Sequence, residues 1–192
     1  MNKQLAEIWP NFDDPDIAFA AINVRGNIVG GDSKVVDIGF AYWSPGRSRT
    51  ICCSQWHVED DMEYSVSYQP RKLAFSLVES VFISKSEIGP TLNEIIESLS
   101  TSFKRLYLIG FDIDGCFEML QSHWEPPPNI VILDTQEIWR SQTLRSEQIS
   151  FEYALRDIGV EYDQDLLEEI GQEAIYNLHL FESLGQTART HS

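Results

Sequence analysis

Hydrophobic residues in this chain fall into short blocks, and the most continuous block begins at Ile17. It reads Ile-Ala-Phe-Ala-Ala-Ile and runs into Asn23, Val24 and Arg25. A half-exposed strand alternates apolar and polar residues, so this continuity predicts a strand buried on both faces at the centre of a sheet. Residues two apart on a strand point to the same side. Asn23 and Arg25 are therefore expected to share one face of that sheet.

The blocks that follow predict an antiparallel meander. Residues 35–43 and 49–58 have the composition of strands and are separated by a Ser-Pro-Gly turn. The charged stretch 59–71 predicts a loop over the surface. The apolar stretch 73–83 fits a helix or a strand, and its periodicity does not separate the two.

The second half of the chain alternates helical and strand patterns. Thr91 and Glu94 have the spacing of a capping box and predict a helix that runs to residue 103. Gly159 is expected to stop the helix that begins at residue 150. The other predicted elements are strands over 105–111 and 130–133, a short helix after Asp112, and a final helix over 165–184.

This order predicts one α/β domain of three layers, in which helices flank a mixed, five-stranded sheet. The domain is expected to span residues 17–184. Residues 1–16 are polar, contain two prolines and predict a leader on the surface, with Trp9 or Phe12 as a candidate anchor. Residues 185–192 predict a flexible tail.

Charge and composition limit the classes of function that are expected for this chain. The chain has 14 Lys+Arg against 30 Asp+Glu, a formal net charge of −16, which repels nucleic-acid phosphates at long range. No apolar run approaches the roughly 20 residues that span a bilayer, and no signal peptide is expected. The three cysteines form neither a disulfide framework nor a zinc-site spacing, which favours reduced thiols in an intracellular protein.

Several stretches together resemble the DEDDh 3′–5′ exonucleases of the ribonuclease-H-like fold, and within them a fungal branch of DEDDh-like proteins. Ile-Asn-Val-Arg at 22–25 lies where that family has Asp-x-Glu at the end of the first strand. The stretch 36–41 is similar to the family's Glu-Ile-Gly strand. Residues 108–113, 132–135 and 167–174 resemble its Val-Gly-His-Asp, Asp-Thr and Leu-His-Asn-Ala-Gly-Asn-Asp-Ala segments. The likeness covers roughly residues 17–184.

The resemblance implies a site of four carboxylates that hold two divalent ions, with a histidine as general base. Asp112 matches the third acid and Glu173 stands at the fourth, whereas Glu168 stands at the histidine position. Asn23 and Arg25 replace the first two acids. Arg25 brings positive charge and no acceptor, so no metal is expected, and if one binds, Asp112, Glu173 and Asn23 are its ligands.

Arg25 is instead expected to pair with Asp112 or Glu173. Two other interpretations of these residues stay open at this point. Asp112 precedes a predicted helix and suits a cap. The acids Glu168, Glu169 and Glu173 suit a solvated helix surface.

Three functions follow from this pattern. The first is a catalytically inactive exonuclease-like domain that acts as a protein-interaction or regulatory module, whose acidic surface favours a basic protein partner. The second is a weak 3′–5′ exonuclease dependent on Mg²⁺ or Mn²⁺. The third is a binder of single-stranded nucleic acid that does not cleave it, which the net charge disfavours.

Overall fold

The computed structural model describes residues 3–29, 32–48, 50–59 and 80–190. Its strands are β1 Ile17–Val29, β2 Asp32–Trp43, β3 Cys52–Glu59, β4 Ser80–Ser84, β5 Arg105–Gly110 and β6 Val131–Asp134. Its helices are α1 Lys3–Ile8, α2 Lys85–Ser102, α3 Ile113–Leu120, α4 Thr135–Thr143, α5 Phe151–Ile158, α6 Gln164–Leu167 and α7 Ile170–Thr190, and a 3₁₀ turn covers Trp9–Asn11. Among these residues, no helix is long and apolar enough to cross a membrane.

The strands form one mixed sheet of six strands in the order β4-β3-β2-β1-β5-β6. Strand β2 pairs antiparallel with both β1 and β3, and the other pairings are parallel. The predicted count of five strands is therefore wrong. The additional strand, β4, comes from the end of the apolar stretch that fitted either a helix or a strand. The predicted loop over 60–71 lies outside the described residues.

Helices cover both faces of the sheet, as the predicted three layers require. Strand β1 is central: Ala18, Ala20 and Ile22 face a core shared with α2 and α3, and Phe19 and Ala21 face the opposite core. The second core includes α1, α4, α5 and α7. Both faces of β1 are buried, which confirms the prediction made from its continuous apolar pattern.

Helix α2 begins seven residues before its predicted start. Its N-cap is Ser84, and the side chain of Glu87 accepts a hydrogen bond from the Ser84 backbone N–H at 2.7 Å. In this reciprocal capping box, side chains accept hydrogen bonds from backbone N–H groups that have no partner within the helix. The capping box predicted at Thr91 and Glu94 is therefore wrong. Pro90 lies inside the helix, although proline is more common in turns than in helix interiors.

Both ends of the described chain pack on the domain. Residues 3–11 are helical, and Leu5, Ile8, Trp9 and Phe12 are buried, where a surface leader had been predicted. Helix α7 continues to Thr190, through the segment predicted as a tail. The single predicted final helix is two helices, since α6 ends at Leu167 and α7 begins at Ile170.

Candidate functional site

The candidate site lies where β1 continues beyond its pairing with β5. Asn23 pairs with Gly39 of β2, and Arg25 pairs with Asp37. Gly39 has no side chain, and a Cβ atom there would lie 2.0 Å from the carbonyl oxygen of Ile170. The first turn of α7 therefore rests directly on the sheet. This close approach brings Glu173, three residues into α7, beside β1.

The Arg25 guanidinium makes three contacts with this helical segment. Its Nη2 lies 2.8 Å from Glu173 Oε2 and 3.4 Å from the carbonyl oxygen of Leu167, and its Nη1 donates to the carbonyl oxygen of Glu168. Of the two partners expected for Arg25, Asp112 and Glu173, it is Glu173 that forms the ion pair. The side chains are 38% and 21% exposed, so the pair is partly shielded from water.

Glu168 contributes its backbone carbonyl to the contact with Arg25, and the residue is exposed. The carbonyls of residues 167 and 168 are at the C-terminal end of α6, where helix carbonyls lack intrahelical donors. Arg25 therefore links the C-terminal end of α6 to the first turn of α7.

Asp112 occupies the N-cap position of α3 with a left-handed backbone, φ 55°, and is exposed. Its side chain makes no capping hydrogen bond, so the interpretation of Asp112 as a side-chain cap is wrong. The carboxylate of Asp134 accepts instead from the backbone N–H groups of Asp112 and Ile113, at 3.3 and 3.1 Å. Asp134 also caps α4, because it accepts from Gln136 and Glu137. The sequence reasoning gave Asp134 no such role.

Several acids of this region act electrostatically on the buried thiol of Cys116. Burial raises the pKa of Cys116 to about 12, and the negative charges of Glu173, Asp112 and Asp134 contribute to that rise. The contacts themselves link Asp112 to Asp134, whose carboxylate accepts the Asp112 backbone N–H, and link Glu173 to Arg25.

At pH 8, iodoacetamide is expected to alkylate only Cys52 rapidly in the folded protein. Cys52 is exposed, whereas burial raises the pKa of both Cys53 and Cys116 to about 12. Alkylation needs the thiolate, so these two thiols should react on the order of 100-fold more slowly. Mass spectrometry of intact protein should show one fast addition, and additions at all three cysteines in denaturant. A fast addition to the Cys52→Ser variant would contradict this expectation.

Asn23 is part of a buried hydrogen-bond network of polar groups and is not grouped with the acidic residues. The Nδ2 of Asn177 lies 3.5 Å from Asn23 Oδ1, and the hydroxyl of Thr135 lies 2.7 Å from Asn177 Oδ1. The same hydroxyl lies 3.0 Å from the carbonyl oxygen of Gly110. Asn177 and Thr135 are fully buried, and Asn23 is nearly so. This network joins β1, β5, α4 and α7, and sequence reasoning missed its two inner members.

These residues do not fit a divalent metal ion. The Asn23 amide is engaged in the buried network, and Arg25 places a fixed positive charge on Glu173. At ~4 Å a guanidinium opposes a divalent cation directly. Within the described ranges, no group of three or more His, Cys, Asp or Glu side chains is arranged to hold a metal.

No protein-family model matches this chain, and no curated protein matches it significantly. Solved structures do match. A chain from the structure of the yeast NOT1 MIF4G domain co-crystallized with CAF1 aligns over 100% of this chain and 86% of its own length, with 11% identity and a TM-score of 0.50. The EXO domain of Aedes aegypti Nibbler aligns over 100% of this chain and 87% of its own, with 12% identity and a TM-score of 0.48. At such low identity the first match shows a likeness of fold alone.

Proposed function

We propose that this protein is a ribonuclease-H-like domain of the DEDDh exonuclease type that has lost cleavage and acts as a protein-interaction module. The stretches that resemble the family contribute Arg25 of β1, Asp112 at the N-cap of α3, Asp134 of β6 and Glu173 of α7. The observation that carries the proposal is the guanidinium of Arg25 bonded to Glu173 at 2.8 Å. A cation of the chain itself stands where the family's metal chemistry requires acids.

The exchange of two acids for an amide and a guanidinium also changes the charge of the site. Carboxylates attract a divalent ion and position it to activate water. Here Arg25 neutralises Glu173 without any ion, and Asn23 is satisfied by Asn177. Neither group activates water, and the residue at the base position, Glu168, contributes a carbonyl to the contact. The site therefore favours a structural role over hydrolysis.

A protein partner suits this chain better than a nucleic acid. With a net charge of −16, long-range attraction favours a basic surface and opposes phosphates. The three cysteines are free thiols in the structure, which is consistent with the intracellular location that belongs to this proposal.

Residual nuclease activity is the second candidate, favoured by the carboxylates of Asp112 and Glu173, which stand at the third and fourth acid positions of the resemblance. Calorimetric titration with Mn²⁺ and Mg²⁺ separates the two functions. The wild type is expected to bind neither ion at millimolar concentration. The Asn23→Asp, Arg25→Glu double variant should bind, because it restores two carboxylates and removes the competing cation.

Nuclease assays on single-stranded RNA and DNA complete the test. Metal binding by the wild type, with cleavage that Asp112→Ala abolishes, would overturn the proposal in favour of the weak exonuclease. Salt-dependent binding of single strands without cleavage would favour the third function, a non-cleaving nucleic-acid binder.

A further inference from the structure

Three consecutive prolines lie at the surface between α3 and β6. The stretch 125–129 reads Glu-Pro-Pro-Pro-Asn and is neither helix nor strand. Its first residue and its last two are exposed, and the two prolines between them are partly buried. The stretch precedes β6, at the amino ends of the parallel strands, whereas Arg25 lies beyond the carboxyl end of β5. It is therefore separate from the site described above.

Proline chemistry fixes the backbone of this stretch. The pyrrolidine ring holds φ at about −65°, and a residue that precedes a proline is restricted to a ψ of about +120 to +160°. Pro126 and Pro127 meet both conditions, because each is a proline that precedes another proline. Together these angles define the polyproline II helix, with φ of about −75° and ψ of about +145°. The described residues contain no cis peptide bond, so the stretch is trans throughout.

Buried residues anchor the stretch at both ends. Trp124 is 5% exposed, and its indole N–H donates to the side-chain oxygen of Asn93 in α2 at 2.9 Å. Ile130 is also buried, and its backbone N–H donates to the Pro127 carbonyl at 3.1 Å, which closes a turn. These contacts hold residues 125–128, the proline ridge, in one conformation at the surface. A preorganised segment loses less conformational entropy when a partner binds it.

The proline ridge offers apolar surface together with hydrogen-bond acceptors. Within the part of the chain that the structure describes, the carbonyl oxygens of Glu125 and Pro126 accept no hydrogen bond. A polyproline II helix has no internal hydrogen bonds, so these carbonyls are available to donors of another molecule. Val131, which follows the anchored end of the ridge, is 45% exposed and adds apolar surface.

The chain around the proline ridge is acidic. Between residues 86 and 139 the only basic residues are Lys104 and Arg105, whereas Asp and Glu recur throughout that stretch. Lys104 already pairs with Asp16. Glu125, at the start of the ridge, is exposed and forms no ion pair with any residue that the structure describes. Opposite charge therefore favours a partner surface that carries Lys or Arg.

We propose that the proline ridge docks into a groove of a protein partner that is lined by aromatic side chains and flanked by Lys or Arg. The aromatic rings pack against the prolines, and N–H or O–H groups of the groove donate to the carbonyls of Glu125 and Pro126. The basic flank pairs with the Glu125 carboxylate. This inference rests on the proposed function, since it names the surface through which the interaction module contacts its partner.

The test measures binding of the full chain to two purified probes, a WW domain and an EVH1 domain, by isothermal titration calorimetry. Both domain classes bind polyproline II segments in aromatic-lined grooves. The ridge variant is Pro126→Ala, Pro127→Ala, which frees φ at both positions. Its matched control is Pro10→Ala, Pro15→Ala, since these two prolines are exposed and neither neighbours another proline. Salt of about 150 mM screens distant charges.

A second variant tests the ridge without altering its prolines. Glu125→Arg reverses the charge at the start of the ridge, and Glu118→Arg makes the same change at an exposed residue of α3. Circular dichroism confirms that each variant is folded. A hexaproline peptide serves as competitor, because it occupies the same groove of the probe.

At least one probe is expected to bind the wild type, and hexaproline should displace it. The ridge variant should bind about tenfold more weakly, and its proline control within about twofold of wild type. Glu125→Arg should weaken binding about fivefold, and Glu118→Arg by about twofold at most. Failure of both probes to bind the wild type would overturn the inference. Equal losses in a variant and its control, no displacement by hexaproline, or tighter binding of Glu125→Arg would overturn it as well.

Failure here is distinguishable from failure of the proposed function. Metal-dependent cleavage of single-stranded RNA by the wild type would refute the inactive module whatever the probes do. A wild type that neither cleaves RNA nor binds either probe would refute the proline ridge and leave the inactive module standing.

Discussion

Replacing Gly39 by alanine is expected to lower the free energy of unfolding by about 3 kcal/mol. The new Cβ atom would lie 2.0 Å from the carbonyl oxygen of Ile170 and 2.5 Å from its carbonyl carbon. Both are backbone atoms, so no side chain can rotate away, and the first turn of α7 must move off the sheet. Urea denaturation followed by circular dichroism measures the loss.

The same displacement should disturb the site, because Glu173 reaches Arg25 only while α7 rests on β2. Gly115→Ala is the matched control. A Cβ atom there would meet only the carboxylate of Asp112, at 3.1 Å, which can move, and alanine favours the helix. Gly115→Ala is expected to be neutral or slightly stabilising. Stability of Gly39→Ala within about 1 kcal/mol of wild type would contradict the close contact between β2 and α7.

Replacing Arg25 by methionine is expected to cost about 2 kcal/mol of stability, as measured by urea denaturation. The substitution removes the donors for the Glu173 carboxylate and for two carbonyls at the end of α6. Loss of one partner from a fully buried pair costs roughly 3–5 kcal/mol. The cost here is smaller because the Arg25 side chain is 38% exposed.

A surface pair gives the matched control for Arg25. Arg156 lies 3.9 Å from Glu152, and the Arg156 side chain is 63% exposed. Arg156→Met should therefore cost less than about 0.5 kcal/mol. A double-mutant cycle of Arg25→Met with Glu173→Gln isolates the coupling between the two charges. Equal stability of the Arg25 and Arg156 variants would show that the guanidinium does not hold the α6–α7 junction.

Local sequence was enough for elements whose signals lie within a few residues. The continuous apolar block from Ile17 predicted a central strand, and β1 is buried on both faces. Ser150 accepts the backbone N–H of Tyr153, and Gly159 ends α5 with a φ of 79°. The stop at Gly159 acts within one turn of the helix, so the residue type alone predicted it, whereas Ser150 had been placed inside the helix rather than at its cap.

Local signals misled where a distant contact fixed the outcome. Gly89 and Pro90 are residue types that are common in turns, yet α2 runs through both, and a Cβ atom on Gly89 would lie 2.6 Å from the carbonyl oxygen of His123. The polar composition of residues 1–16 suggested a surface leader. The aromatic side chains Trp9 and Phe12 are buried because α7 and Phe19 provide an apolar surface for them.

The candidate site likewise combines features that local sequence predicted with contacts that only tertiary packing decided. The two-residue period of a strand placed Asn23 and Arg25 on one face, and opposite charge made Glu173 a reasonable partner for Arg25. The carbonyls that Arg25 also binds are more than 140 positions away along the chain, and backbone groups carry no sequence signature. Alternation and charge are properties of neighbouring residues, whereas these contacts exist only once the sheet and α7 have packed together.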